Sequence, residues 1–187
     1  MNTFRQFTSA AALLVCAVGA HADGSLLITP ASSTVSPGDS FALQVRGTGF
    51  IDNVVGGGFN LSFDPGVLAL TSVSVDTGVW EFVSSNGLVD NVLGTLSDVY
   101  FNSFRAVLPT GDFSVATLQF TAKAAGSSLV AMSASPTFPF SDDFGQAIAV
   151  GFQGASVAVT AVPEPGSWAL FAAGLGVLGT LARRRRA

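Results

Sequence analysis

Hydrophobic and polar residues alternate along the middle of this chain with a period of two. Ala116, Leu118, Phe120 and Ala122 fall on one side of such a segment, and the residues between them are polar or charged. Successive side chains of an extended strand point to opposite faces, so the pattern predicts a strand with one buried face. The alternation recurs in residues 41–45, 59–63, 68–75 and 157–159. Between the two ends of the chain, no long segment shows the helical period.

Turn-forming residues separate the alternating segments. The turns are Ser-Pro-Gly-Asp at 36–39, Asp-Pro-Gly at 64–66, Asn-Gly at 86–87, Pro-Thr-Gly-Asp at 109–112 and Ala-Gly at 125–126. Asn86 and Gly87 both tolerate positive φ, so we expect a hairpin between strands at 80–83 and 88–89. Short strands with regular turns predict an all-β fold, an antiparallel β-sandwich.

The N-terminus has the pattern of a secretory signal peptide. Arg5 precedes an apolar run at 8–19 that is too short to span a bilayer. Ala20 and Ala22 flank His21 as small residues flank a cleavage site, so residues 1–22 are predicted to be removed by signal peptidase. The mature chain would begin at Asp23.

The C-terminus combines a polar break, an apolar run and a cluster of positive charge. Residues 167–182 carry no charge and would form a helix of about 24 Å, slightly short for a bilayer core of about 30 Å. We expect this helix to lie in the membrane, with the arginines held on the cytoplasmic side. The flanking residues are Val162, Pro163, Glu164, Pro165 and Gly166 before the run, and Arg183, Arg184, Arg185 and Arg186 after it.

This tail, residues 162–187, resembles the PEP-CTERM sorting signal of Gram-negative bacteria. The resemblance rests on the Pro-Glu-Pro motif within 162–166, the adjacent apolar helix and the terminal arginines. It implies recognition by a membrane exosortase, removal of the tail near the motif, and delivery to the cell surface or the extracellular matrix. The predicted anchor in the inner membrane is therefore transient.

Cleavage at both ends changes the chemistry of the remaining domain, residues 23–161. The only cysteine, Cys16, and the only histidine, His21, leave with the signal peptide. A cysteine nucleophile, a Ser-His-Asp triad and a histidine-ligated metal are thereby excluded, which argues against an enzyme. The domain keeps three bases, Arg46, Arg105 and Lys123, against eleven acids. Nucleic acid is disfavoured as a partner because no basic face is available to neutralise phosphates.

Three blocks of the domain resemble a cohesin domain, in the order that the family has them. Residues 34–45 match its opening Pro-Gly-Asp turn and alternating strand. Residues 58–68 match the strand that ends in an aromatic-Asp-Pro turn, and residues 115–126 match a later strand and Ala-Gly turn. The resemblance implies a jelly-roll sandwich, related in shape to some carbohydrate-binding modules, that binds a partner. Cohesins of cellulosomes bind dockerins through one sheet face.

Candidate binding groups have two interpretations each. Trp80, Tyr100 and Phe104 could form an aromatic ligand face, although phenylalanine-rich chains use most such residues in the core. Three acidic pairs could contribute to a calcium site, although none has EF-hand spacing and solvated loop acids are the simpler interpretation. These pairs are Asp52-Asn53, Asp90-Asn91 and Asp142-Asp143.

The sequence leaves three functions open. The favoured one is a non-enzymatic exported surface or matrix protein whose sandwich binds a protein or a polysaccharide, with no cofactor. The second is a glycan-active enzyme in which Glu81 acts with Asp76 or Asp90. The third is a purely structural matrix component without a discrete ligand.

Overall fold

The computed structural model describes residues 22–161, 170–175 and 184, and its first range folds into twelve β-strands. The strands are β1 Gly24–Thr29, β2 Ser32–Val35, β3 Ser40–Phe50, β4 Gly56–Ser62, β5 Leu68–Val75, β6 Val83–Ser85, β7 Leu88–Asp90, β8 Thr95–Asn102, β9 Gly111–Ala122, β10 Gly126–Ala134, β11 Val150–Gln153 and β12 Ala155–Val159. The predicted all-β class is confirmed.

The strands form two sheets that face each other across one core. The five-stranded sheet has the order β11-β1-β3-β9-β5. The seven-stranded sheet has the order β2-β12-β10-β4-β8-β6, with β7 also paired to β8. This is the predicted jelly-roll sandwich, and its pairing is antiparallel except at β1–β11 and β12–β2. The chain passes from β1 through Pro30 to β2, and from β11 through Gly154 to β12, and each time it crosses from the first sheet to the second. These two extended segments run side by side, which gives one parallel pair in each sheet.

The alternating positions of the sequence supply the core. Leu43 and Val45 of β3 and Leu118 and Phe120 of β9 have essentially no exposed surface, as the period of two predicts. In β5 the phase changes after Leu70, because the register with β9 shifts between Leu70 and Ser72. That β-bulge turns the later valines of β5 inward, so both halves of the strand contribute to the core.

The predicted hairpin at Asn86 and Gly87 is wrong. β6 and β7 do not pair with each other, and each pairs antiparallel with β8. Gly87 does take a positive φ of 74°. The Asn86 side chain instead reaches β5, where its Oδ1 accepts a hydrogen bond from the amide of Val75 at 3.1 Å. The segment is therefore one edge strand interrupted at 86–87, and the true hairpin connects β7 to β8.

The two ends of the chain lie mostly outside the described residues. Of the predicted signal peptide and cleavage site, only Ala22 and Asp23 are described, and the Asp23 amide donates to the carbonyl of Ala149 at 2.7 Å. The sorting motif 162–166 is not among the described residues. Residues 170–175 of the predicted membrane helix are helical and exposed. No helix within the described ranges is both long and apolar enough to cross a bilayer.

Candidate functional site

The outer face of the five-stranded sheet is a flat array of hydroxyl and amide groups. One row across it contains Thr29, Gln44, Thr117 and Ser74, as the strand registers place them. Arg46 of β3 and Asp112 of β9 are the charged residues of this array. No large hydrophobic side chain of these five strands is exposed. The face is therefore polar, with one base and one acid, and it lacks exposed apolar anchors.

The outer face of the seven-stranded sheet has a different character. Val83, Leu88 and Leu129 expose 43%, 76% and 65% of their surface there. The seven strands of this sheet contain two acids, Asp90 and Asp98, and no lysine or arginine. This sheet thus combines apolar side chains with negative charge that no base of its own strands offsets.

Asp98 is the conformational outlier of this face. Its φ of 56° is the one positive value among non-glycine residues of the described chain. The cause is a β-bulge: Phe59 pairs with Val99 and Leu61 with Leu96, so two residues of β8 oppose Asn60 alone. Aspartate tolerates this left-handed conformation better than most residues, although it remains strained.

Two side chains hold Asp98 in place. Asn60 Oδ1 accepts the Asp98 amide at 2.7 Å, and Ser135 Oγ donates to Asp98 Oδ1 at 3.1 Å. Ser135 is buried and also accepts the amides of Thr137 and Phe138. The Asp98 backbone is therefore fixed by β4, and its carboxylate by the segment after β10.

Tyr100 lies two residues after Asp98 on β8. It pairs with Gly58 of β4, and its ring packs against Phe138 with centroids 4.3 Å apart. A side chain on Gly58 would collide with the Val99 carbonyl and with Phe138, so glycine is needed for this close approach. Half-buried Tyr100 is thus held in the face that contains Asp98.

The prediction that Trp80 belongs to a ligand face is wrong. Trp80 has no exposed surface, and its ring packs 4.4 Å from Phe101 and 5.3 Å from Phe113. Its Nε1 donates to the carbonyl of Ser114 at 2.8 Å, which satisfies the indole inside the core. The core interpretation therefore holds for Trp80.

Phe104 is exposed, but it belongs to a second aromatic pair. It lies just beyond the end of β8 and meets Phe82 edge-to-face with centroids 4.6 Å apart.

Of the residues on the outer face, the sequence therefore predicted Tyr100 and did not predict Asp98, Asn60 or Ser135. A β-bulge between two alternating strands produces no sequence pattern of its own. The one signal in the sequence is that aspartate tolerates positive φ better than most residues.

Comparison with known proteins identifies both parts of the chain. The model of the cohesin domain matches residues 27–144, and the model of the PEP-CTERM protein-sorting motif matches residues 161–186. This chain belongs to the cohesin family. No curated protein matches its sequence.

Several solved cohesins share the fold. A type I cohesin–dockerin complex from Clostridium thermocellum is similar at a TM-score of 0.61 and 14% identity, covering 73% of this chain and 99% of the other. The sixth cohesin of Acetivibrio cellulolyticus scaffoldin B, solved with the Cel5 dockerin, gives 0.60 and 18%, with 73% and 99% covered. A non-cellulosomal cohesin from the archaeon Archaeoglobus fulgidus gives 0.58 and 13%, with 74% and 91% covered. At these identities the likeness establishes the fold alone.

Glu81 of this cohesin domain is held as an anion. Its carboxylate lies 3.1 Å from Arg105 Nε and accepts bonds from Ser103 Oγ at 2.8 Å and the Phe104 amide at 3.1 Å. Partial burial opposes ionisation, but these groups and the Glu81 backbone outweigh it, so the pKa lies below the ordinary 4.5. A glycosidase acid needs a raised pKa, so Glu81 does not suit that role.

Two of the three acidic pairs of the cohesin domain, Asp90-Asn91 and Asp142-Asp143, make local contacts in its turns. Asp90 Oδ1 accepts the amides of Val92 and Leu93, and Asp142 Oδ1 accepts those of Phe144 and Gln146. Within the described ranges, no three acidic, histidine or cysteine side chains gather as a metal site would require. These contacts fit the interpretation of the pairs as turn-capping loop acids.

Proposed function

We propose that this chain is an exported, non-enzymatic protein that exosortase sorts and whose cohesin domain binds a protein partner through the outer face of the seven-stranded sheet. The observation that carries the proposal is Asp98. Asp98 has a strained backbone whose amide is bound by Asn60 and a carboxylate that is bound by Ser135, in a sheet whose strands contain no base. Such a residue is the kind of feature that binding sites retain at a cost in stability.

The contrast between the two outer faces supports this choice of surface. Protein interfaces combine apolar anchors with a few well-placed polar groups. The seven-stranded sheet, which contains Asp98 and Tyr100, also exposes Val83, Leu88 and Leu129. The five-stranded face exposes no large hydrophobic side chain of its strands.

The aromatic residues favour a protein over a polysaccharide. Sugar sites commonly stack pyranose rings on broad exposed aromatic faces. Trp80 is buried, the Tyr100 ring packs against Phe138, and the exposed Phe82–Phe104 pair is edge-to-face. The solved cohesins in complex with dockerins also support a protein as the class of partner. Their interface residues are not carried over to this chain.

The working location follows from the sorting motif. We place the mature domain outside the cytoplasm, first tethered to the inner membrane by residues 167–182 and then released to the surface or matrix. Intact mass and location should be compared in cells with and without an exosortase. Processing should shorten the product near 162–166 only when exosortase is present, and an identical full-length, membrane-bound product in both strains would refute the sorting route.

A capture experiment separates the three functions. Full-length protein is incubated with matrix from the producing cells that is untreated, protease-treated or periodate-treated. We expect saturable capture that protease abolishes and periodate, which cleaves sugar diols, leaves intact. The reverse pattern would indicate a polysaccharide partner, and absence of saturable capture would indicate a purely structural component. Hydrolysis of a glycan panel that is lost in Glu81→Gln would indicate the enzyme.

A further inference from the structure

The sandwich has two unlike poles. β12 ends at Val159 beside Val35 and Gly126, so the sorting tail leaves the domain there, at what we call the tail pole. The opposite end, the far pole, contains the β3–β4, β8–β9 and β10–β11 loops and the residues just before β6. On the proposed tether, which rests on the proposed function, the far pole is the end of the domain opposite the point where the tail leaves.

Exposed apolar side chains collect on the loops of the far pole. Ile51, Val107 and Phe144 are each more than four-fifths exposed, and Phe82 and Phe104 about three-fifths. Single exposed hydrophobic residues are ordinary, but five on the loops of one pole are characteristic of an interaction surface.

Backbone hydrogen bonds tie these loops together. The Val54 amide donates to the carbonyl of Pro109 at 2.8 Å, and the Val55 amide to that of Ser141 at 2.9 Å. The Ser103 amide in turn donates to the Val55 carbonyl at 2.8 Å. The β3–β4 loop is thus the hub that holds the other two, and a surface held this way loses little conformational entropy on binding.

Acidic residues accompany the apolar ones. Asp23 accepts the Ile51 amide through its carbonyl, and Asp143 Oδ2 accepts Asn53 Nδ2 at 3.0 Å, which places both beside the hub loop. Asp52 and Asp142 lie on the same loops. Arg105 is the one base among the described loops of this pole, and it already pairs with Glu81.

We infer that the far pole is a second docking surface, distinct from the outer face of the seven-stranded sheet, and that it binds a protein whose apolar contact residues are surrounded by lysine and arginine. The negative charge of the far pole favours this partner over the alternatives. A second copy of the chain would bring like-charged carboxylates together, which is costly across an interface. An anionic lipid surface would be repelled in the same way.

Site-specific photo-crosslinking in the producing cells tests this inference on the full chain. Benzoylphenylalanine replaces Ile51 or Phe144 at the far pole, and Val92, which is 86% exposed at the tail pole, is the matched control. Crosslinked species are identified by mass spectrometry. We expect one protein at both far-pole positions, absent at Val92, with an excess of basic surface residues. Its yield should fall roughly fivefold in Asp142→Asn/Asp143→Asn and at high salt.

Several outcomes would overturn the inference: crosslinking to a second copy, to lipid or to an acidic protein, the same species at Val92, or no crosslink from either far-pole position. A probe at Tyr100 separates this inference from the proposed function. Crosslinking at Ile51 and Phe144 without any at Tyr100 would support the far pole and refute the sheet face, and the reverse result would do the opposite.

Discussion

At the scale of single residues, substitutions of Asp98 distinguish an effect on partner binding from an effect on the stability of the fold. Asp98→Asn keeps an oxygen for Ser135 and tolerates positive φ, so unfolding free energy should change by less than about 0.5 kcal/mol. Loss of the charge should weaken partner binding by about tenfold or more, since hydrogen-bonded charges at interfaces contribute strongly. Urea unfolding and a binding titration measure the two effects.

Asp98→Ala provides the contrasting variant. Alanine in a left-handed conformation costs about 1–2 kcal/mol, and the contact with Ser135 is lost as well, so this variant should lose stability as well as binding. Unchanged affinity in Asp98→Asn would remove Asp98 from the binding surface.

Gly94 and Gly38 form a matched pair for backbone strain. Both have positive φ, 70° and 91°, but a Cβ on Gly94 would lie 2.1 Å from the Phe63 carbonyl oxygen, whereas nothing lies within 4 Å of one on Gly38. Gly38→Ala should therefore cost about 1 kcal/mol, and Gly94→Ala clearly more, because the backbone must also move. Equal losses in urea unfolding would show that the contact at Gly94 relaxes without cost.

Asp112 gives the domain a defined dependence on acid. The hydrogen bond from Thr48 Oγ1 at 2.7 Å, followed by that from the Gly49 amide at 3.0 Å and the charge of Arg46, outweighs burial and holds its pKa below the ordinary 3.8. A depressed folded pKa contributes stability that is present above pH 3.8 and is lost as pH falls through the folded value. When the pH is lowered below 3.8, the urea midpoint of Asp112→Asn should therefore fall less than that of the wild-type protein. An identical loss in both proteins would exclude this role.

At the scale of elements, asparagine side chains close one side of the sandwich. Asn91 accepts the Leu70 amide at 2.8 Å and donates to the Leu70 carbonyl at 2.9 Å, and Asn86 accepts the Val75 amide. These are backbone groups of β5, the edge of the five-stranded sheet. The asparagines take the place of a neighbouring strand and so protect an edge that would otherwise be open to pairing.

Asn91→Ala tests this edge protection. Leaving the Leu70 amide and carbonyl without their partner should cost about 1–3 kcal/mol and favour self-association through β5. Asn53→Ala, which removes one exposed contact to Asp143, is the control. Sedimentation over a range of concentrations should show dimers for Asn91→Ala only, and a monomer with unchanged stability would mean that Asn91 does not protect the edge.

The same elements show how far sequence reasoning extends. The period of two in β3 and β9 predicted strands and buried faces correctly, because one sheet face meets the core and the other meets solvent. The Asn-Gly pair at 86–87 predicted a hairpin wrongly, because the side chain of Asn86 makes a tertiary contact with β5 instead of a local turn. Trp80 was ambiguous, since an aromatic residue suits a core and a ligand face equally until packing decides. The bulge that exposes Asp98 depends on the register between β4 and β8, which neither strand specifies alone.

At the scale of the whole molecule, positive and negative charges are separated along the chain. Four of the arginines lie in the tail, at 183–186, while eleven of the twelve acids are spread over residues 23–161. The seven-stranded face lies on the side of the sandwich, and the far pole at its free end. The molecule we propose is a binding module that is first tethered and then released, and its proposed contact surfaces are the seven-stranded face and the far pole.

Photo-crosslinking from the two outer faces shows which sheet of the sandwich contacts a partner. Benzoylphenylalanine replaces Tyr100 on the seven-stranded face or Gln119 on the five-stranded face of the full chain in producing cells, and crosslinked material is digested with protease or treated with periodate. We expect one protein species from Tyr100, with a lower yield in Asp98→Asn, and none from Gln119. Crosslinking from Gln119 alone, or a Tyr100 adduct that periodate removes and protease does not, would contradict this expectation.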